Sequence, residues 1–341
     1  METITFRDCV YKNHNIYFFS ELESIPITID TVNNMGTLLQ VKNWELYRGV
    51  PYDLITELNG KIYALEMSGK YMCEYCLDTH EINYIQIDCD NRVDGNFALL
   101  TTEKNQIYIF DRIYGLTIYD IQSKTKHKIS YPFINFEVIS GCKCKNSYYL
   151  LPKEGNCFFE FNIISKKWHI LYLQEEWKNA VHITVDEEYI FILTADGTII
   201  ECNTNNELRV IDVAQKWYKS SRAASRICIT TNTFIILPSL EEDILLIDKS
   251  TFEVKVMQNY PNDFKYVKNN WTKYAGYCET EEYYFFACRR SEYILRISKT
   301  DDEILWIRSN IYSKEFFNYE KQLGIIREKP GYLDFLLNEI I

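Results

Sequence analysis

The sequence predicts an all-β chain: a seven-bladed β-propeller of four-stranded antiparallel blades, followed by a short helical tail. Three observations carry this: a composition suited to pleated sheet, a strand–turn phrase that returns seven times, and one turn chemistry inside every phrase. The 341 residues include 27 Tyr and 19 Phe but only 12 Gly and 7 Pro. Aromatic and β-branched residues fit a half-buried pleated surface, and so few Gly and Pro leave no linker or low-complexity tract. Apolar residues make up 47% and charged residues 25%, enough for a large core.

The repeat emerges on aligning the apolar pair that opens one strong strand: Ile16-Tyr17, Ile62-Tyr63, Ile107-Tyr108, Tyr148-Tyr149, Tyr189-Ile190, Phe234-Ile235 and Tyr284-Phe285. The pairs lie roughly 40–50 residues apart, the period of a four-stranded blade. A short polar turn follows, such as SGK, KEGN or ADG, then a further strand such as LTIYDI, FFEFNI or YILRIS. Next comes the recurring turn: DTVNN, DTHE, QSKTK, ISKKW, NTNNE, KSTFE, KTDDE. Asp, Asn, Ser and Thr belong there because their side chains hydrogen-bond nearby backbone N–H groups. Another strand then arrives, as in INYIQI or WHILYL, and one more precedes each pair, as in YDLITEL or VHITVDE. The blades fall near residues 3–41, 52–88, 96–132, 136–173, 180–213, 225–258 and 274–309, within a propeller of residues 1–310. Two ordinary β-sandwiches also use short regular strands, but seven units in one phase are not what they require.

Residues 311–341 leave the pattern. After Pro330-Gly331, Leu333, Leu336, Leu337 and Ile340 recur at i, i+3, i+4, i+7, one face of a short helix. Such a helix either packs on the side of the propeller or docks a partner protein.

The strand pattern of residues 3–309 resembles propellers of the WD40 and kelch kind. The WD dipeptide and the kelch double glycine are absent, and only Trp168 and Trp306 follow the recurring turn where kelch repeats often place a Trp. The resemblance implies architecture and transfers no functional residue.

Several function classes are disfavoured. The formal net charge of −11 provides no long-range attraction to nucleic acid or anionic lipid. The start, METITFRDCVYK, lacks a signal-peptide pattern, and no apolar run approaches the ~18 residues of a membrane span. The 11 cysteines are scattered, which predicts reduced thiols and a cytoplasmic location. Cys73 and Cys76 sit in a strand, where i and i+3 face opposite ways, and no second pair completes a zinc site. Cys142 and Cys144 share a face without further partners. His14, His80, His127, His169 and His182 form no metal-binding motif. His182, in an innermost strand, is placed to point into the central channel, as a packed core residue or as a base. No nucleophile elbow, Walker loop or dinucleotide fingerprint occurs. No catalytic residue, metal or cofactor is therefore assigned.

Long loops on a rigid scaffold are where binding tends to reside. The longest are 41–51, 214–225 and 260–273. The last two hold Lys216, Lys219, Arg222, Lys265, Lys268 and Lys273 against the single acid Asp263, interleaved with Trp217, Tyr218, Tyr260, Phe264, Tyr266 and Trp271. Arg226, Arg289 and Arg290 belong to the same sector, and Trp44 and Arg48 lie in the first loop. Flat rings stack on sugar or base faces, and Lys and Arg pair with phosphate or carboxylate. The alternative is that Trp44, Trp177, Trp217 and Trp271 wedge between neighbouring blades. The expected function is a binding or scaffold module for an anionic glycan, a nucleotide-sugar-like ligand or an acidic protein segment. The ligand residues would be Trp44, Arg48, Trp217, Tyr218, Lys219, Arg222, Arg226, Lys268, Trp271, Lys273, Arg289 and Arg290. The rival class is a lyase or hydrolase with acid/base residues at the channel mouth.

Overall fold

A computed structural model of the chain describes residues 7–20, 24–43, 46, 51–87, 97–133, 136–187, 189–203, 208–218, 223–239, 243–264, 274–288, 291 and 293–308. The helix expected over 311–341 lies outside the described residues. The described chain forms seven four-stranded sheets, each with its strands in sequence order, spanning 10–38, 52–86, 97–130, 138–177, 180–211, 224–256 and 274–308. Every pairing is antiparallel, from Val10–Lys12 on Asn15–Phe19 through to Tyr293–Ser298 on Ile304–Arg308. The first strands of neighbouring sheets contact one another around a ring, those of blades six and seven through Arg226 and Tyr277, so the architecture is a seven-bladed β-propeller with those strands innermost. The described residues include one short 3-10 turn, Val213–Lys216.

Local chemistry explains the regularity. The hairpin after the innermost strand uses left-handed residues in blades one to five, such as Asn13-His14 (φ 49° and 61°) and Asn59-Gly60 (φ 53° and 77°), whereas in blades six and seven the Thr230 and Thr280 hydroxyls accept from the Thr233 and Tyr283 N–H groups. The twist of the left-handed turns matches that of the flanking strands. The recurring turn is an Asx turn repeated around the ring. Asp30 Oδ1 accepts from the Val32 and Asn33 N–H groups at 2.8 and 3.0 Å. Asp120 accepts from Gln122 and Ser123, Asn162 from Ile164 and Ser165, and Asp248 from Ser250 and Thr251. In blade seven Ser298 Oγ accepts from Thr300 and Asp301. Four residues after each cap the backbone turns left-handed, at Asn34, Lys124, Lys166, Phe252 and Asp302. In blade two the cap position is Cys76, followed by left-handed His80. The hydroxyl of Thr79 and the Thr79 and Asp78 N–H groups bond the Cys76 sulfur and hold its thiol below the usual range. Cys73 is fully buried in the same strand, so this pair consists of a core side chain and a turn cap.

The core lies between blades. Tyr108 and Phe110 of blade three, for example, bury against Tyr148, Leu150 and Phe161 of blade four. Burial at ~25 cal/mol per Å² of apolar surface makes these inter-blade layers the main stabilising term.

Candidate functional site

The innermost strands place one comparable residue per blade at the channel. Six of them carry a register shift near their start, and the residue just after it is Leu54, Leu99, Ser140, His182, Arg226 or Gly276. Asp8 holds the corresponding place in blade one. An innermost strand has an open edge, and antiparallel alternation turns every second backbone N–H toward it. Those groups need partners. The ring side chains provide them by reaching into the next blade. Asp8 Oδ2 accepts from the Ile55 N–H at 2.8 Å, Ser140 Oγ from Ile183 at 3.3 Å and His182 Nδ1 from Ile227 at 3.4 Å.

Arg226 has no acceptor to offer Tyr277. Its guanidinium lies over the Tyr277 ring instead, 5.0 Å from the centroid. The Tyr277 N–H is served from the other side, by Asp8 Oδ1 at 3.3 Å. Gly276 permits that approach: a Cβ there would lie 3.2 Å from both Cα and C of Asp8.

Asp8, Leu54, Leu99, Ser140, His182 and Arg226 line a cavity of about 670 Å³, together with Arg112, Lys153 and Ser239 from hairpins between second and third strands. Those hairpins share a face with the loops joining consecutive blades, so the ring sits toward the long-loop end of the channel. Arg112 is paired with Glu137 at 2.5 Å, Lys153 with the same carboxylate at 4.0 Å, and Lys143 with Glu103. Arg226 has no ion pair or hydrogen bond among the described residues, although Asp8 and His182 lie within its field.

The environment sets the protonation states. Burial pushes the Asp8 carboxyl up to about 6, against the Ile55 and Tyr277 N–H groups and the Arg226 charge, which favour the carboxylate. Burial, and then Arg226, hold His182 well below the ordinary imidazole range, so it is neutral at pH 7. Because its Nδ1 accepts from Ile227, its proton sits on Nε2, which has no partner among the described residues. The ring is therefore two-sided. Ser140, His182 and Arg226, from three successive blades, bring hydroxyl, imidazole and guanidinium donors. Leu54 and Leu99 make an apolar arc.

Of the expected ligand residues, Arg226 lines this cavity and Trp217 and Tyr218 lie in the loop beside blade six. Trp217 is 48% exposed, so it is no wedge between blades. Tyr218 is buried: its hydroxyl donates to the Asp243 carbonyl and its ring packs on Gly197 and Ala214, as a core residue and not an open contact. Trp177 is the wedge, 3% exposed with its indole N–H donating to Pro152 O. Tyr260 and Phe264 pack their rings at a tilt against Trp306, and Asp263 pairs with Arg308, so this part of the loop is anchored to blade seven. Trp44, Arg48, Lys219, Arg222, Lys268, Trp271, Lys273, Arg289 and Arg290 lie outside the described residues. Sequence reasoning missed Asp8 and Ser140. The only signal available was their distance ahead of the aligned apolar pair.

The chain matches no protein-family model, and no curated protein is similar to it in sequence. Solved structures are similar in fold. Virginiamycin B lyase from Staphylococcus aureus is 11% identical with a TM-score of 0.65, over 86% of this chain and 96% of that one. YCF48 bound to D1 peptide is 10% identical with a TM-score of 0.63, over 88% and 93%. PorZ, a surface component of the type-IX secretion system of Porphyromonas gingivalis, is 12% identical with a TM-score of 0.61. This chain matches it over 91% of its own length but spans only 38% of PorZ. At such identities the likeness shows the propeller fold alone.

Proposed function

We propose that this protein is a binding propeller whose channel mouth takes a small organic anion. The carrying observation is Arg226: a guanidinium inside the cavity, seated on the Tyr277 ring, with no acceptor paired to it among the described residues. His182 Nε2–H and the Ser140 hydroxyl add donors on one side. Leu54 and Leu99 suit an apolar body on the other. A volume of about 670 Å³ falls in the range of small-molecule sites. In a chain of net charge −11, a local cation also concentrates anions where the rest of the surface repels them. Lys216 and Trp217, exposed in the loop beside blade six, would extend the site outward.

Asp8, titrating near 6, is the observation that favours the rival reading, an enzyme with acid/base chemistry in the channel. Yet both Asp8 oxygens accept backbone N–H groups, and the lone pair of His182 is taken by Ile227. What the mouth offers a ligand is donors, not a free base. Among the similar folds one is a lyase and one was solved with a bound peptide, so the fold does not choose between the classes.

The test is calorimetric titration of the full chain with phenyl phosphate, benzoate, octanoate and inorganic phosphate. An organic anion should bind more tightly than inorganic phosphate. Arg226→Ala should weaken it roughly 10- to 150-fold, the scale of a charge-assisted hydrogen bond, with little change in melting temperature. Absence of binding by all four probes, or binding indifferent to Arg226→Ala, overturns the proposal.

A further inference from the structure

A propeller must join its last blade to its first. Here every described sheet is built from one continuous stretch of chain, and among the described residues no strand crosses the seam between blades seven and one. Side chains do the joining. Tyr11 stacks on Phe285 with ring centroids 5.2 Å apart, Asp8 takes the Tyr277 N–H, and Gly276 lies against Asp8. At the centre of this seam the sulfurs of Cys9 and Cys278 are 3.4 Å apart, from residues 269 positions apart in sequence. Among the described residues this is the one hydrogen-bond contact between two sulfurs. Both residues are buried from the outside, yet both line the channel cavity.

We propose that Cys9 and Cys278 form a modification site: a dithiol that a small disulfide oxidant, entering by the channel, converts into a covalent lock across the propeller seam. The inference stands independently of the anion site. The chemistry is ordinary thiol–disulfide exchange. One cysteine, as thiolate, attacks a sulfur of glutathione disulfide, and one glutathione thiolate leaves. The second cysteine, deprotonated, then attacks the protein sulfur of that mixed disulfide and expels the second glutathione. Two protein thiols are oxidised by two electrons and one glutathione disulfide is reduced to two thiols, which carry away the two protons. The sulfurs need only close from contact to the ~2 Å of a bond. Cys9 is held as a thiol, first by its hydrogen bond to Cys278 and then by burial. The exchange should therefore be slow near neutrality and faster as pH rises. A bond here fixes the two ends of the ring to each other, so most of the chain becomes one covalent loop and the unfolded ensemble loses freedom.

The experiment uses the full chain, purified reduced and equilibrated at pH 8 with increasing ratios of oxidised to reduced glutathione. Free thiols are then alkylated and the chain is mapped by non-reducing peptide mass spectrometry. One intramolecular Cys9–Cys278 linkage is expected, reversed by dithiothreitol, with a melting temperature at least about 3 °C above that of the reduced chain. Cys278→Ser should keep the reduced-state melting temperature and lose the oxidised gain. If that variant does not fold, Cys9→Ser serves the same comparison, and the linkage map of the unmodified chain stands by itself. The proposal is overturned if pure glutathione disulfide leaves both cysteines free or singly glutathionylated. A Cys142–Cys144 linkage in place of the seam bond, or a bond that lowers the melting temperature, overturns it equally.

Discussion

At Asp8 burial works against charge, and the sign of the result can be measured. The folded carboxyl is raised from 3.8 to about 6, so between those values the folded chain holds a proton that the unfolded chain has released. Stability contributed through Asp8 is full below about pH 4, falls as pH climbs toward 6, and is flat above. The groups around it are the Arg226 guanidinium and the Ile55, Tyr277 and Cys9 N–H donors, all of which favour the anion and limit the shift. Asp8→Asn does not titrate. Measured by urea unfolding, wild type should gain on that variant by about 2–3 kcal/mol from pH 7 to pH 4, since one pKa unit corresponds to 1.36 kcal/mol. A constant difference would mean that solvent in the channel screens Asp8. None of this was legible in the sequence. The ring position is Asp, Leu, Leu, Ser, His, Arg and Gly in turn, so it has no repeat signature; it is defined by a strand bulge, which leaves the hydrophobic pattern intact. Of the ring, sequence reasoning found Arg226 through its basic sector and His182 through its innermost strand.

The strands and their turns were legible for the opposite reason: their physics is local. An Asx cap needs one acceptor side chain followed by a left-handed residue, and a pleated strand needs alternating apolar residues, so both leave a periodic trace. The trace still slipped once. The register pairs Ile190 with Val185 and Cys202, as Ile62 pairs with Glu57 and Tyr75, so blade five aligns on Ile190-Phe191 and not on Tyr189-Ile190. The turn chemistry makes two stability predictions. Asn162 accepts from two backbone N–H groups and from the Ser165 hydroxyl, so Asn162→Ala should cost about 0.5–1.5 kcal/mol. Lys124 is exposed at φ 56°, a conformation unfavourable for a residue with a Cβ. Lys124→Gly should therefore stabilise by about 0.5–1 kcal/mol, even after the entropy of Gly is set against it. Both are read as shifts of the urea midpoint at unchanged slope. At Asp248 the sign is opposite to Asp8. The Ser250 hydroxyl and the Thr251 and Ser250 N–H groups lower its carboxyl to about 2, so its contribution is present above pH 4 and disappears as pH falls toward 2.

For the whole molecule, the place to test is the seam, where the last blade of the ring meets the first. In the described chain the two innermost backbones of blades seven and one approach closely. Gly276 sets that approach. A Cβ there would sit 2.7 Å from the Ala287 Cβ and 3.2 Å from the Cα and C of Asp8, atoms that cannot move without moving a strand. Gly141, in the innermost strand of blade four, is the internal control. Its Cβ would meet the Leu150 Cδ2 at 2.7 Å and the Leu99 Cδ2 at 3.3 Å, but these are ends of side chains that can rotate, and its one backbone neighbour, Tyr149 O, is at 3.2 Å. Both substitutions overpack a tight layer, at a typical cost of about 1–3 kcal/mol. Gly276→Ala should fall at the upper end, and it alone should push Asp8 from the Tyr277 N–H and separate Cys9 from Cys278. Thermal unfolding ranks the two costs. Hydrogen exchange then locates the damage: Gly276→Ala should lose protection first along residues 8–19 and 274–288, whereas Gly141→Ala should leave those segments protected. Equal costs, or equal exchange at the seam in both variants, would mean that closure is no weaker than any other inter-blade contact.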